Sequence, residues 1–147
     1  MEKLTFVIPT LLGVEGLTAN ELRRMNMEEV RVENGRVFCQ GGPRDIARLN
    51  LQLRTGERVL ILLGTFPAQT FEDLFQGTRA LPWDNFIPKD GAFPVKGFSL
   101  NSALHSIPAC QSIVKKAVAT RLGQVYHQET LPENGALYQI QFSIMKD

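Results

Sequence analysis

The residues best suited to chemistry are concentrated in one stretch. Positions 91–128 contain no Asp or Glu in 38 residues, while Lys96, Lys115, Lys116 and Arg121 supply four cations. Both histidines, His105 and His127, fall there too, together with Ser99, Asn101, Ser102, Ser106, Gln111 and Ser112. Ammonium and guanidinium groups, hydroxyls and amides are the donors that phosphate and sugar contacts use. The chain as a whole gives no such signal. Sixteen Lys and Arg against fifteen Asp and Glu leave a net charge of +1, which excludes a strongly basic tail or an acidic solvating protein. An argument for nucleic acid therefore rests on where the charges sit, not on their sum.

Helical spacing arranges these groups. Pro108 suits the first turn of a helix, and the apolar pattern carries that helix to about Tyr126. Stepping about 100° per residue from Cys110, the residues Val114, Ala117, Val118 and Val125 fall within about 80° of it. Ser112, Lys115, Lys116 and Ala119 fall on the opposite half, with Gln111 at its border. The spacing predicts a solvent face flanked by two lysines, with small residues that let a backbone approach. Arg121 projects instead from the apolar stripe. It either contacts a ligand or packs its stem and reaches a C-terminal carbonyl or a neighbouring carboxylate. The start at Ser106-Ile107-Pro108 would direct backbone N–H groups outward beside His105, an anion-accepting arrangement. The competing reading of the whole stretch is an acid-poor helix packed on a sheet.

Other chemistries find few residues. There is no phosphate-loop, dinucleotide or nucleophile-elbow motif. The acidic neighbours Glu28-Glu29 and Glu72-Asp73 are adjacent on surface elements and read as solvated charges. Cys39, His105, Cys110 and His127 are scattered, whereas structural zinc needs paired ligands at short spacing, so no metal is expected. Cys110 with His105 could suggest a thiol nucleophile, but Cys110 lies on the apolar side of a helix and reads as a packed thiol. Two cysteines 71 positions apart suit reduced thiols in a cytoplasmic protein. Gly13-Val-Glu-Gly16 has the spacing of a loop that clamps a nucleic-acid backbone, but Glu15 would repel phosphate, leaving a strand-to-helix turn. The longest aliphatic run, positions 59–63, is far short of a membrane span, and Pro9 comes too early for a secretory signal.

The elements that must position these groups follow from periodicity. Residues 4–9 read as a strand, and 13–26 as a helix with acids early and Arg23 and Arg24 late. Val30 to Cys39 reads as a hairpin, with Asn34-Gly35 as a primed turn. A second helix begins at Pro43, carries Ile46, Leu49 and Leu53 on one face, and is stopped by Thr55-Gly56. Residues 58–65 read as a buried strand, completing a β-α-β-β-α-β order. Beyond a boundary near Phe66-Pro67, Thr70 and Asp73 form an approximate capping box for a helix whose apolar face is Phe71, Leu74 and Phe75. Residues 92–100 read as a strand with Pro94 at an edge or bulge, and 136–145 as a last, strictly alternating strand.

The segment Lys96-Gly-Phe-Ser-Leu-Asn-Ser-Ala-Leu-His-Ser-Ile-Pro-Ala-Cys-Gln-Ser-Ile-Val-Lys-Lys-Ala-Val-Ala-Thr-Arg-Leu resembles the THUMP domain of bacterial class I RNA methyltransferases. These include the large-subunit ribosomal RNA guanine methyltransferase group, often labelled adenine-specific DNA methylases. The opening Pro9-Thr-Leu-Leu-Gly-Val-Glu-Gly-Leu-Thr-Ala-Asn-Glu-Leu is similar to the start of the same proteins, as are Thr70-Phe-Glu-Asp-Leu-Phe and Leu81-Pro-Trp-Asp. The resemblance implies an α+β chain: a ferredoxin-like βαββαβ domain over residues 1–66, then a small α/β THUMP domain over 67–147. It implies that structured RNA, ribosomal in that group, is held for a Rossmann-like S-adenosylmethionine domain further along. Lys96, Ser102, His105, Gln111, Lys115, Lys116 and Arg121 become the candidate RNA contacts. The group's glycine-rich cofactor loop and Asn-Pro-Pro-Tyr motif do not occur here. The expectation is thus the N-terminal part of a longer methyltransferase, with no cofactor, metal, membrane contact or catalysis of its own, and with the catalytic domain as its partner in cis. The alternative is a non-catalytic ligand-sensing or protein-interaction module, since ferredoxin-like units serve many functions.

Overall fold

The β-branched run Leu4–Pro9 becomes β1, a central strand. The computed structural model describes residues 3–56, 58–100 and 107–145, and divides the chain into two units between Leu63 and Gly64. In the first unit β1 is followed by α1 (Glu15–Arg24), β2 (Glu28–Glu33), β3 (Arg36–Gly41), α2 (Asp45–Gln52) and β4 (Leu60–Leu62). The antiparallel sheet has the order β2-β3-β1-β4, the ferredoxin-like arrangement expected from the element order. Pairing of Phe6 with Cys39 and of Ile8 with Val37 puts these four on one face. All four are fully buried, as are Ala19 and Leu22 of α1 and Leu49 of α2. Each large apolar side chain taken from water contributes about 1.5–3 kcal/mol to folding, so this face holds the unit together.

Three local details depart from the sequence reading. The last strand of this unit is short and half-buried, because β4 lies at the sheet edge with β1 as its one partner. The Asn34-Gly35 turn has its positive φ at Gly35 alone (+77°), not at both residues as a type I′ turn requires. Contacts from outside the hairpin set it: the Gly35 carbonyl accepts from Thr10 N–H at 2.8 Å, and its N–H donates to Oε2 of Glu15 at 2.8 Å. Glu15 also accepts from Gly13 N–H at 2.7 Å, so the Gly13–Gly16 loop is a turn braced by its own carboxylate. Finally, α1 stops at Arg24, short of the Asn26 that the sequence suggests, because Asn26 lies in the left-handed region (φ +62°) and Met27 N–H returns to the Leu22 carbonyl at 3.0 Å.

The second unit contains α3 (Phe71–Arg79), a 3-10 turn (Trp83–Asn85), β5 (Val95–Leu100), α4 (Ile107–Tyr126) and β6 (Ile140–Met145). Thr70 caps α3 as expected: Oγ1 accepts from Asp73 N–H at 3.1 Å, while the Asp73 carboxylate reaches back to Gln69 N–H at 3.2 Å. Strands β5 and β6 are parallel and joined through α4, so their pairing needs the crossover helix. Both start later than the sequence suggests. Pro94 cannot donate to a ladder and sits just before β5, and only an isolated bridge joins Ala92 to Leu137 upstream. The buried stripe of α4 is Cys110, Val114, Ala117, Val118 and Leu122. Val125, expected on that stripe, is exposed. The helix stops two residues later at His127 (φ +56°), where Gln128 N–H bonds the Gly123 carbonyl at 3.0 Å.

Candidate nucleic-acid interface

Helix α4 presents two polar edges with different fates. On one edge, Gln111 and Lys115 are one turn apart and bond the first residue of β5 and the chain just before it. Nε2 of Gln111 donates to the Val95 carbonyl at 3.0 Å, and Nζ of Lys115 donates to the Phe93 carbonyl at 3.0 Å. Lys115 also lies 2.6 Å from Oε1 of Glu133 and 3.7 Å from the centroid of the Phe93 ring. Glu133 carries a positive φ of +49° and accepts a further bond from Phe93 N–H at 3.1 Å. Burial pushes the Glu133 carboxyl up, but the Lys115 and Phe93 hydrogen bonds and the lysine charge outweigh it, and its pKa falls below the ordinary value. Lys115 is therefore half-buried and neutralised, not on the open face that helical spacing predicts. The reason is tertiary: Glu133 comes from outside the acid-free stretch.

Arg121 meets the same fate. Its Nε donates to Oδ1 of Asp84 at 2.9 Å, and the structure thus shows the packed reading, with a neighbouring carboxylate as its partner. That bond is the main cause of the lowered Asp84 pKa. Tyr126 reinforces the junction, its hydroxyl donating to the Ile87 carbonyl at 2.6 Å.

The other edge of α4 stays open. Ser112 and Lys116 are exposed at i and i+4, and below them Thr120 turns its hydroxyl back to the Lys116 carbonyl at 2.8 Å. Lys96 is exposed on β5. Ser102 and His105, with Asn101 and Ser106, lie outside the described residues. Of the seven candidate contacts, then, Lys116 stays on the open edge of α4, Lys96 is exposed on β5, and Gln111, Lys115 and Arg121 are tied to other parts of the unit. Sequence reasoning missed Glu133 and Asp84, whose positions in the chain carry no sign that they fold onto the basic stretch.

Neither thiol is poised as a nucleophile. Cys39 and Cys110 are fully buried, and burial, with Asp45 adding to it, pushes the Cys39 thiol up to about 11. Burial raises the Cys110 thiol as well. Among the described residues no cluster of three His, Cys, Asp or Glu could hold a metal ion, and no helix is long and apolar enough to cross a membrane.

Known proteins bear on this surface. The RlmL ferredoxin-like domain matches residues 5–60, and the THUMP domain matches residues 68–147. A Bacillus subtilis protein named "Putative RNA methyltransferase YpsC" is 40% identical over 151 residues, spanning 100% of this chain and 38% of its own length. "Ribosomal RNA large subunit methyltransferase K/L" of Ectopseudomonas mendocina is 28% identical over 121 residues, covering 82% of this chain and 17% of that protein. A crystal structure of SMU.472, described as "a putative methyltransferase complexed with SAH", superposes with a TM-score of 0.93 at 40% identity, covering 98% of this chain and 39% of that one. The chain spans well under half the length of each.

Proposed function

The chain belongs to the THUMP domain family, with an RlmL ferredoxin-like domain ahead of the THUMP domain, and from that membership we propose that it is the RNA-binding module of a cytoplasmic methyltransferase. The observation that carries this reading is the THUMP match over residues 68–147, joined to relatives named as RNA methyltransferases. The module holds structured RNA, ribosomal as in the name of the K/L relative, for a catalytic domain that follows it. S-adenosylmethionine belongs to that domain, a cofactor class supported by the SAH held in the SMU.472 structure. By itself the chain takes up no cofactor and methylates nothing.

The mechanism is electrostatic. Lys96 and Lys116 neutralise phosphates, and the Ser112 hydroxyl beside Lys116 supplies a neutral donor that fixes register. Gln111, Lys115 and Arg121 are positioning residues that clamp α4 to β5 and to the 3-10 turn, so that the Lys116 edge faces outward.

The test is a titration of labelled ribosomal RNA with wild type and with Lys96→Ala plus Lys116→Ala at several salt concentrations. Two lost phosphate contacts lower the slope of log affinity against log salt by about 1.4 to 1.8. Equal affinity and equal slope would sink the assignment to these lysines. Tight S-adenosylmethionine binding by this chain, measured by calorimetry, would overturn its non-catalytic role.

A further inference from the structure

The unit ending at Leu63 carries several arginines outside salt-bridge distance of any described carboxylate. Three of its described carboxylates are ion-paired: Glu28 with Lys3 at 2.6 Å, Glu33 with Arg36 at 3.3 Å, and Asp45 with Arg48 at 3.1 Å. Glu15 is taken by two backbone N–H groups, of Gly13 and Gly35. By contrast Arg23, Arg24, Arg44, Arg54 and Arg58 form no ion pair among the described residues. In the second unit the reverse holds for half of the acid-free stretch, where Lys115 and Arg121 are each spent on a carboxylate.

Two of these arginines meet. Arg24, the last residue of α1, and Arg54, just after α2, line one hollow of about 270 Å³ with Glu21, Met25 and Gln52. The one carboxylate there, Glu21, is engaged by the Arg54 N–H at 3.1 Å, the Thr55 N–H at 2.9 Å and the Thr55 hydroxyl. Those bonds do two things at once. They fix the backbone that carries Arg54 at the rim, and they hold Glu21 ionised, a single negative charge that Arg24 also faces and that the two guanidiniums outnumber. Both guanidiniums are exposed, and each offers a planar fork of donors that matches two phosphate oxygens. Gln52 adds an uncharged amide donor at the same wall.

We propose that this hollow is a phosphodiester site, through which the N-terminal unit grips the RNA backbone by Arg24 and Arg54. The proposal rests on the RNA-binding reading above and extends it to residues outside the THUMP match. It assigns backbone grip, without base readout, to the ferredoxin-like unit.

The experiment compares the 147-residue chain with Arg24→Ala plus Arg54→Ala, and with Arg24→Lys plus Arg54→Lys, in RNA titrations across salt. Thermal melts check that each variant folds. The alanine pair is expected to lower the salt slope by about 1.4 to 1.8, and the lysine pair to restore most of it. An unchanged slope in a folded alanine pair, with wild-type binding intact, overturns the site and leaves the RNA-binding reading standing. No salt-dependent RNA binding by wild type overturns both. Inorganic phosphate at constant ionic strength is the second probe. Saturable phosphate uptake that the alanine pair abolishes, with no change in its RNA slope, would mark a site for the free ion and overturn the assignment to a strand.

Discussion

Nζ of Lys115 stands 2.6 Å from Oε1 of Glu133, and Phe93 is held between them by three further contacts. The lysine donates to the Phe93 carbonyl and covers its ring, while the glutamate accepts from the Phe93 N–H. A residue in the acid-free stretch is thereby matched to an acid that follows it in sequence, and the match pins α4 to the entry of β5.

The pair is open enough to solvent to contribute modestly. Side-chain exposures of 36% and 32% place it between a surface ion pair and a buried one. Glu133→Gln is expected to cost about 1 kcal/mol of unfolding free energy, and Lys115→Met a similar amount. The double variant should lose less than the sum, by about 0.5 to 1 kcal/mol in a urea-denaturation cycle. Strict additivity would mean that the two side chains do not act together.

Acid should weaken both units. Glu133 and Glu21, each raised by burial but lowered more by hydrogen bonds, titrate below their ordinary value of 4.5 in the folded chain. Asp84, lowered chiefly by its bond to Arg121, titrates below 3.8. A depressed carboxylate stabilises fully above its unfolded pKa and loses that contribution as pH falls through the folded one. The melting temperature should therefore be insensitive to these groups above about pH 5 and fall below about pH 4.5. Glu133→Gln should show a shallower acid limb than wild type, and an identical limb would rule Glu133 out as a contributor.

The two adjacent lysines should separate cleanly. Lys116→Ala is expected to leave the melting temperature within about 1–2 °C of wild type and to lower the RNA salt slope by about 0.7 to 0.9. Lys115→Ala should lower the melting temperature and leave the slope nearly unchanged, because its charge is already matched by Glu133. The reverse pattern would show Lys115 to be the phosphate contact.

Gly97 on β5 is paired with Phe142 on β6, and a Cβ at position 97 would overlap the Phe142 ring. The ring lies across the glycine, so Gly97→Ala must push it off its seat. A loss of about 1–3 kcal/mol is expected in urea denaturation. A neutral substitution would show that Phe142 repacks without penalty.

Both thiols should be silent in the native chain. Cys39 and Cys110 are fully buried, and burial disfavours their thiolates. A disulfide reagent at pH 8 is expected to label neither before unfolding and both in denaturant. Rapid stoichiometric labelling of the folded chain would revive Cys110 as a reactive group.

The legible features were local ones. Alternation at Val37 and Cys39, Thr70 three residues before Asp73, and the apolar stripe from Cys110 to Val118 each name an element through neighbours in the chain. Together they yield the β-α-β-β-α-β order and the long helix between two strands, and both are present. Distances set by other elements were not legible. The shape of the Asn34-Gly35 turn depends on Glu15 and Thr10, and the exposure of Val125 depends on where the packing surface ends.

Charge shows the same division most clearly. The sequence by itself determined that a +1 chain concentrates cations without acids over residues 91–128. Only the tertiary structure decided which of those cations are matched to a carboxylate, by carrying Asp84 and Glu133 onto Arg121 and Lys115, and which lie at the surface, as Lys96 and Lys116 do. It also left Arg24 and Arg54 together around one hollow, thirty positions apart in a segment whose acids and bases nearly cancel. The physical reason is range: periodicity acts between residues a few positions apart, whereas an ion pair depends on a spatial distance of a few ångströms that sequence separation does not encode.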